Sequence, residues 1–202
     1  MIKNKVFKHG WFYNYRLHVP KTDVLCSNGL SPLKNYLTDV FDSCPNDYFN
    51  NEVRSSKLKM ELPIELHHTS GHEMCLMADR CFEDFKKSHN SIQSFMLEHD
   101  NKTISTEVPL WLTHLETKNV IPNAAAELTG HIDLLRIENN KIWVWDFKPK
   151  AIKEKYAAGQ TFMYSLMLSS RTGIPLKNFA CGYYDENDAF VFQPDMNILK
   201  RC

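Results

Sequence analysis

The chain holds 202 residues, 43% of them hydrophobic and 24% charged, and its 24 Lys and Arg balance its 24 Asp and Glu. These values fit one globular domain, at most with a small appended subdomain, and exclude the disordered and fibrous classes. No apolar run is long enough to span a bilayer and no signal-peptide pattern is visible, so a soluble, intracellular protein without a membrane partner is expected.

The charge is unevenly spread despite this balance. Seven Lys and Arg fall between Lys141 and Lys177 (141, 148, 150, 153, 155, 171 and 177), against Asp146 and Glu154. Near the start, Lys3, Lys5, Lys8, Arg16 and Lys21 are interleaved with Trp11, Phe12, Tyr13 and Tyr15. Zero net charge argues against a nucleic-acid partner, whereas local basic clusters suit a phosphate backbone. A solvated helix face and an ordinary amphipathic hairpin would show the same pattern. The six cysteines, at 26, 44, 75, 81, 181 and 202, form no Cys-x-x-Cys pair, so neither a zinc ribbon nor a disulfide framework is expected.

In chain order, Ser31-Pro32 opens a predicted helix to about Ser43, with Ser as N-cap and Pro at the first helical position. Residues 44–57 are rich in Asn, Asp and Ser and read as a loop. Residues 1–66 are expected to form a helical and hairpin extension packed on a core spanning 67–202. Ser70-Gly71-His72-Glu73 has the capping-box pattern and predicts a helix to about Lys87, with His72 in its first turn. His89, His99 and His114 lie in polar surroundings and are expected to face water.

Residues 103–112 predict a strand, which Pro109 places at a sheet edge or a strand end. Residues 128–137 and 141–148 predict a hairpin. Its second strand is apolar on both faces, as a central strand covered on both sides would be. A helix is expected from about Glu154 to Ser170, ending before Gly173, with Gln160 and Tyr164 on one face. A last hairpin, 179–184 with 189–192, turns at Asp185 to Asp188. The order predicts an α/β fold with a central mixed sheet flanked by helices.

The central hairpin carries the chemistry. Asn139 and Asn140 lie midway between Asp133 and Asp146. As a two-residue turn they would pair Val144 with Leu135, and Asp146 with Asp133. Directly opposed residues hold their Cβ atoms about 4.5–5.5 Å apart, where like charges repel. Such a pair needs a cation between its carboxylates, or one must keep a proton. Lys148 shares a face with Asp146, because strand side chains alternate. Two carboxylates and a lysine there suit a hard divalent cation and an anionic substrate.

These residues resemble the PD-(D/E)xK nuclease superfamily, with Asp133 and Asp146 as its acids and Lys148 as its lysine. Gln160-x-x-x-Tyr164 makes the chain similar to the RecB-type branch, which includes the RecB nuclease domain, mitochondrial exonucleases and CRISPR-associated adaptation exonucleases. The resemblance covers roughly residues 70–193 and implies a restriction-endonuclease-like core. It also implies a metal set of His72, Asp133, Asp146 and Phe147, taking magnesium or manganese. Gln160 and Tyr164 would position phosphate or the lysine, and Glu107 stands where many members have an acid. Lys150, Lys153 and Lys155 would grip DNA. Some members carry an iron–sulfur cluster on mostly C-terminal cysteines; only Cys181 and Cys202 lie there, so none is expected.

The expected activity is hydrolysis of DNA phosphodiesters, as an exonuclease on single strands or duplex ends. Endonucleases and RNA-directed enzymes share the resemblance. Two alternatives stay open: a non-hydrolytic nucleic-acid-binding module of a larger complex, and a zinc or scaffold protein using His68, His72, Cys75 and Asp79. Each residue also has a structural role to weigh. Asp133 could pair with Arg136 or Lys150 on an exposed strand, and Gln160 and Tyr164 could be a polar helix rim. Asp146, in the run Trp-Val-Trp-Asp-Phe, has no such easy account, because an unpaired buried charge is costly.

Overall fold

The computed structural model describes residues 1–50, 54–121, 124 and 126–199. Its strands are β1 (Ile2–Lys8), β2 (Phe12–His18), β3 (His67–Ser70), β4 (Thr103–Leu112), β5 (Leu128–Glu138), β6 (Lys141–Phe147), β7 (Phe179–Tyr184) and β8 (Asp188–Phe192). They form one sheet in the order β1-β2-β4-β5-β6-β7-β8-β3, parallel only between β6 and β7. Six α-helices flank it among the described residues: α1 (Val19–Leu25), α2 (Ser31–Ser43), α3 (Glu73–Asp84), α4 (His89–His99), α5 (His114–Val120) and α6 (Ala157–Thr172). This is the mixed α/β architecture of a restriction-endonuclease-like fold.

Alternation along β6 builds two cores. Ile142 and Val144 pack with Phe162, Met163, Leu166 and Met167 of α6. Trp145 and Phe147 pack on the other side with Met74, Cys75, Ala78 and Cys81 of α3 and with Ile92, Phe95 and Met96 of α4. The β5–β6 turn is Asn139-Asn140 with φ of 51° and 58°. Both central residues of this turn type need positive φ, which Asn tolerates. The expected register follows, Leu135 with Val144 and Leu134 with Trp145, but the backbone ladder stops there, one pair short of the aspartates.

Four local expectations are corrected. α2 has Leu30, not Ser31, at its N-cap, with no side-chain cap bond. Ser70 does not cap α3: it ends β3, which pairs with β8, and Gly71 at φ 68° separates strand from helix. His72 is the N-cap instead, its Nδ1 accepting from the Met74 N–H. α6 starts at Ala157 rather than near Glu154, because Lys150 is left-handed (φ 67°) and Glu154 is extended. Its end at Gly173, φ 70°, is as expected.

The fourth concerns Pro109, which lies inside the sheet rather than in an edge strand. β2 pairs only with Ser105 and Thr106 of β4, so it asks nothing of the missing Pro109 N–H. Within the expected loop, Asn46–Asn50 and Ser55–Lys57 form 3-10 turns, while Asn51, Glu52 and Val53 lie outside the described residues. The β1–β2 hairpin extends the central sheet through β4, and the chain through Arg54 and Ser55 runs beside β5 and α6.

Candidate active site

Three carboxylates come from three adjacent strands. Thr106 pairs with Leu134 and Val108 with Ile132, which sets Glu107 of β4 level with Asp133 of β5. Beyond the last β5–β6 pair, the Asp133 side chain takes over from the backbone: its Oδ2 accepts the Phe147 N–H at 3.3 Å. Asp146 follows Trp145 on β6 and is 1% exposed. Lys148 Nζ lies 2.6 Å from Asp146 Oδ2.

Glu107 adopts a left-handed φ of 50° within β4. A non-glycine residue held there costs on the order of 1–3 kcal/mol, and such strain concentrates at functional sites. Its Oε1 accepts from Gln93 Nε2 of α4 at 2.7 Å.

The electrostatics follow from this crowding. Burial, and then the charge of Asp133, push the Glu107 carboxyl up to about 7. Burial and Asp133 hold Asp146 well above the carboxylate range, with Lys148 opposing. Burial also works against the Asp133 charge, but hydrogen bonds and charge from His89, Asp146 and Lys148 outweigh it, so its carboxyl is lowered. Burial opposes the Lys148 charge as well, and Asp146 and Asp133 overcome it and raise the ammonium. One ionised acid beside two acids that resist ionisation is the pattern of a site short of positive charge.

α6 provides the facing wall. Gln160 Nε2 donates to Tyr164 Oη at 2.7 Å. Tyr164 lies against Gly130, where a Cβ would overlap its ring and sit 2.6 Å from Ser55 Oγ. Glycine at 130 therefore sets how closely helix and strand approach. A cleft of about 220 Å³ opens between these walls, lined by Glu107, Asp133, Gln160, Tyr164, His89 and Arg54 among others.

His89 is exposed to water, as expected, and also lines the cleft: its Nδ1 is 3.3 Å from Asp133 Oδ2, and its ring meets Phe147 edge-on at 5.4 Å. Its hydrogen bond to Asp133 raises its pKa against the opposing effect of burial. The expectation for His72, by contrast, is corrected. It lies against Trp145, 5.3 Å between ring centroids, on the α3 side of the sheet, and the structure does not bring it to the carboxylates. Its Nδ1 is already used as a helix cap. A signal for His89 existed in the sequence: Ser88 as an N-cap, followed by Ile92, Phe95 and Met96 at helical spacing.

The Phe147 ring packs in the α3–α4 core, so only its main chain reaches the site. Lys150, Lys153 and Lys155 are exposed on the connection before α6. His68 pairs with Asp188 at 2.7 Å, and Cys75 is buried. Cys26, Cys44, Cys75, Cys81 and Cys181 are buried free thiols; Cys202 lies outside the described residues.

Among the described residues no three His, Cys, Asp or Glu side chains form a ready-made metal site. The fit to a cation is one of donor chemistry. Among the described residues Asp146 Oδ1 is buried with no N–H donor on it, beside the Asp133 carboxylate, whose charge also acts on Glu107. Hard oxygen donors in that arrangement match magnesium or manganese. No helix among the described residues is long and apolar enough to cross a membrane.

Comparison with known proteins agrees with this chemistry. A family model described as the PD-(D/E)XK nuclease superfamily matches residues 40–196. No curated protein sequence matches the chain.

Proposed function

As the chain belongs to the PD-(D/E)XK nuclease superfamily, whose members in general are metal-dependent nucleases, we propose that it is a deoxyribonuclease of the RecB-type branch, an exonuclease acting on single strands or duplex ends. The observation that carries the proposal is the Asp133–Asp146–Lys148 group around the buried Asp146. Among the described residues Asp146 has a buried oxygen with no N–H donor on it, opposed by a second carboxylate, and is contacted by a lysine. A purely structural carboxylate at that depth would have satisfied hydrogen bonds. Gln160-x-x-x-Tyr164 on the facing helix supports the branch.

Asp133 and Asp146 would hold magnesium or manganese, with Glu107 beside them as a further ligand or as the group that orients water. The ion, when bound, neutralises the phosphodiester charge and acidifies a bound water. Lys148, fixed by Asp146, would orient the attacking water and offset charge developing on phosphate. His89 would hold the Asp133 carboxylate in place. Gln160 and Tyr164 would position the phosphate from the facing wall. Lys150, Lys153 and Lys155 would add backbone contacts outside the cleft. The proposed setting is wherever DNA is processed inside a cell.

A digestion series tests this: end-labelled linear single strands, linear duplex, circular DNA and RNA, each with magnesium, manganese or chelator. Cleavage of linear DNA alone, abolished by chelator, is the expected result. Cleavage of circles would make it an endonuclease, cleavage of RNA alone would replace the substrate, and none with any metal would remove the hydrolytic assignment.

A further inference from the structure

Beside the α6 wall, part of the cleft is lined by Tyr13 of the N-terminal hairpin and by Arg54, which lie outside the strands that carry the carboxylates. Tyr13 of β2 lines the cleft, its ring stacked on His131 with centroids 3.7 Å apart and planes at 2°. His131 is two residues from Asp133 in the same strand, so Tyr13 is tied to the centre of the site. Arg54 also lines the cleft. Its Nη1 donates to Tyr13 Oη at 2.7 Å and its Nη2 donates to the His9 carbonyl. Among the described residues both partners are neutral, so the hairpin orients the guanidinium without cancelling its charge. Gly10, at φ 72°, makes this possible, since a side chain there would collide with Arg54.

At the tip of that hairpin, Trp11 is 73% exposed and Phe12 62% exposed, next to Tyr13 in sequence. Two large aromatic rings in water have no role in the fold. Exposed Lys8 flanks them, its Nζ lying 5.6 Å from the Phe12 ring centre. Exposed aromatic faces with a cation beside them, at the tip of the hairpin whose Tyr13 lines a cleft with an oriented guanidinium, match the requirements of an unpaired nucleic-acid strand. Bases of a single strand present their faces for stacking, and those of a duplex do not.

We propose that this surface binds single-stranded nucleic acid, with Arg54 holding a phosphate beside the scissile one and Trp11 and Phe12 stacking on unpaired bases. The proposal rests on the nuclease assignment and specifies its substrate. It makes Arg54, Trp11 and Phe12 binding residues contributed from outside the three acid-bearing strands.

The test uses the full chain with calcium in place of the catalytic metal, a labelled oligothymidylate and a blunt duplex. Binding of the oligothymidylate should quench Trp11 fluorescence. Trp11→Ala with Phe12→Ala should weaken its binding about tenfold or more. Arg54→Ala should lower the slope of log affinity against log salt by about 0.7, the value for one single-strand phosphate contact. Arg54→Gln keeps a donor to Tyr13 and His9 and should show the same slope change, which guards against a folding defect. The duplex should bind more weakly and be insensitive to the tip variants. Wild-type affinity and slope in all variants would overturn the proposal, as would equal losses for duplex and single strand. Cleavage by the wild-type protein is measured alongside. Cleavage with unaffected variant binding sinks the strand track and leaves the nuclease assignment standing; lost variant binding without any wild-type cleavage does the reverse.

Discussion

His89 Nδ1 lies 3.3 Å from Asp133 Oδ2, whereas His72 lies against Trp145 on the α3 side of the sheet. The two histidines therefore differ in their expected effect on the metal. His89→Ala frees Asp133 to rotate and should weaken manganese binding several-fold and reduce turnover. His72→Ala removes a helix cap worth about 1 kcal/mol and should lower the melting temperature with manganese affinity unchanged. Calorimetric titration of both variants decides, and a larger loss for His72→Ala would contradict the geometry.

Gly130→Ala should damage the site from a distance. The added Cβ would overlap the Tyr164 ring and crowd Ser55 Oγ at 2.6 Å. Overpacking of this kind costs about 1–3 kcal/mol, and relief by moving Tyr164 would carry Gln160 with it through their 2.7 Å hydrogen bond. The expected outcome is a lower melting temperature together with reduced kcat and near-normal metal affinity. Full activity would mean that Tyr164 and Gln160 need not be positioned.

Lys148 and the exposed lysines should separate catalysis from binding. Lys148→Ala should cut kcat strongly and lower DNA affinity in calcium by one phosphate contact at most. Replacing Lys153 and Lys155 together should weaken binding and its salt dependence, with less effect on the rate at saturating DNA. The opposite division, read from single-turnover rates and binding isotherms, would exchange their roles.

Much of this centre was legible because it is local. Asn139 and Asn140 tolerate the positive φ their turn requires, and that turn alone sets Val144 against Leu135. Helix α6 and its end at Gly173 were legible for similar reasons, although its start was not: nothing local marks Lys150 as left-handed. His89, Arg54 and Tyr13 were not recognised as site residues, because long-range packing brings them there. The expectation for His72 rests on the resemblance, which implies a helix histidine as ligand; its expected place inside the first turn failed because Ser70 pairs in β3 and leaves His72 as the N-cap.

On the α3 side, Arg136 is fully buried and pairs with Asp100, Nε to Oδ2 at 2.7 Å. Removing one partner of a buried pair costs about 3–5 kcal/mol, so Asp100→Ala should destabilise by roughly that amount, tempered by Glu73 and Glu138 near the guanidinium. Burial disfavours the Asp100 charge, but Arg136 outweighs it and its carboxyl is lowered. A carboxyl lowered on folding adds stability above its unfolded value of about 4, and that stability is lost as pH falls through the lower folded value. Urea melts of wild type should therefore weaken more steeply below pH 4 than those of Asp100→Asn. Parallel curves would show that this pair does not govern acid stability.

The most direct test of the proposed centre is cleavage and melting of one variant, Asp146→Asn. The substitution keeps shape and removes a charge that burial and Asp133 both oppose. The account predicts loss of manganese-dependent cleavage of linear DNA by several orders of magnitude, with a metal-free melting temperature at or above wild type. Near-wild-type cleavage by folded Asp146→Asn would contradict it.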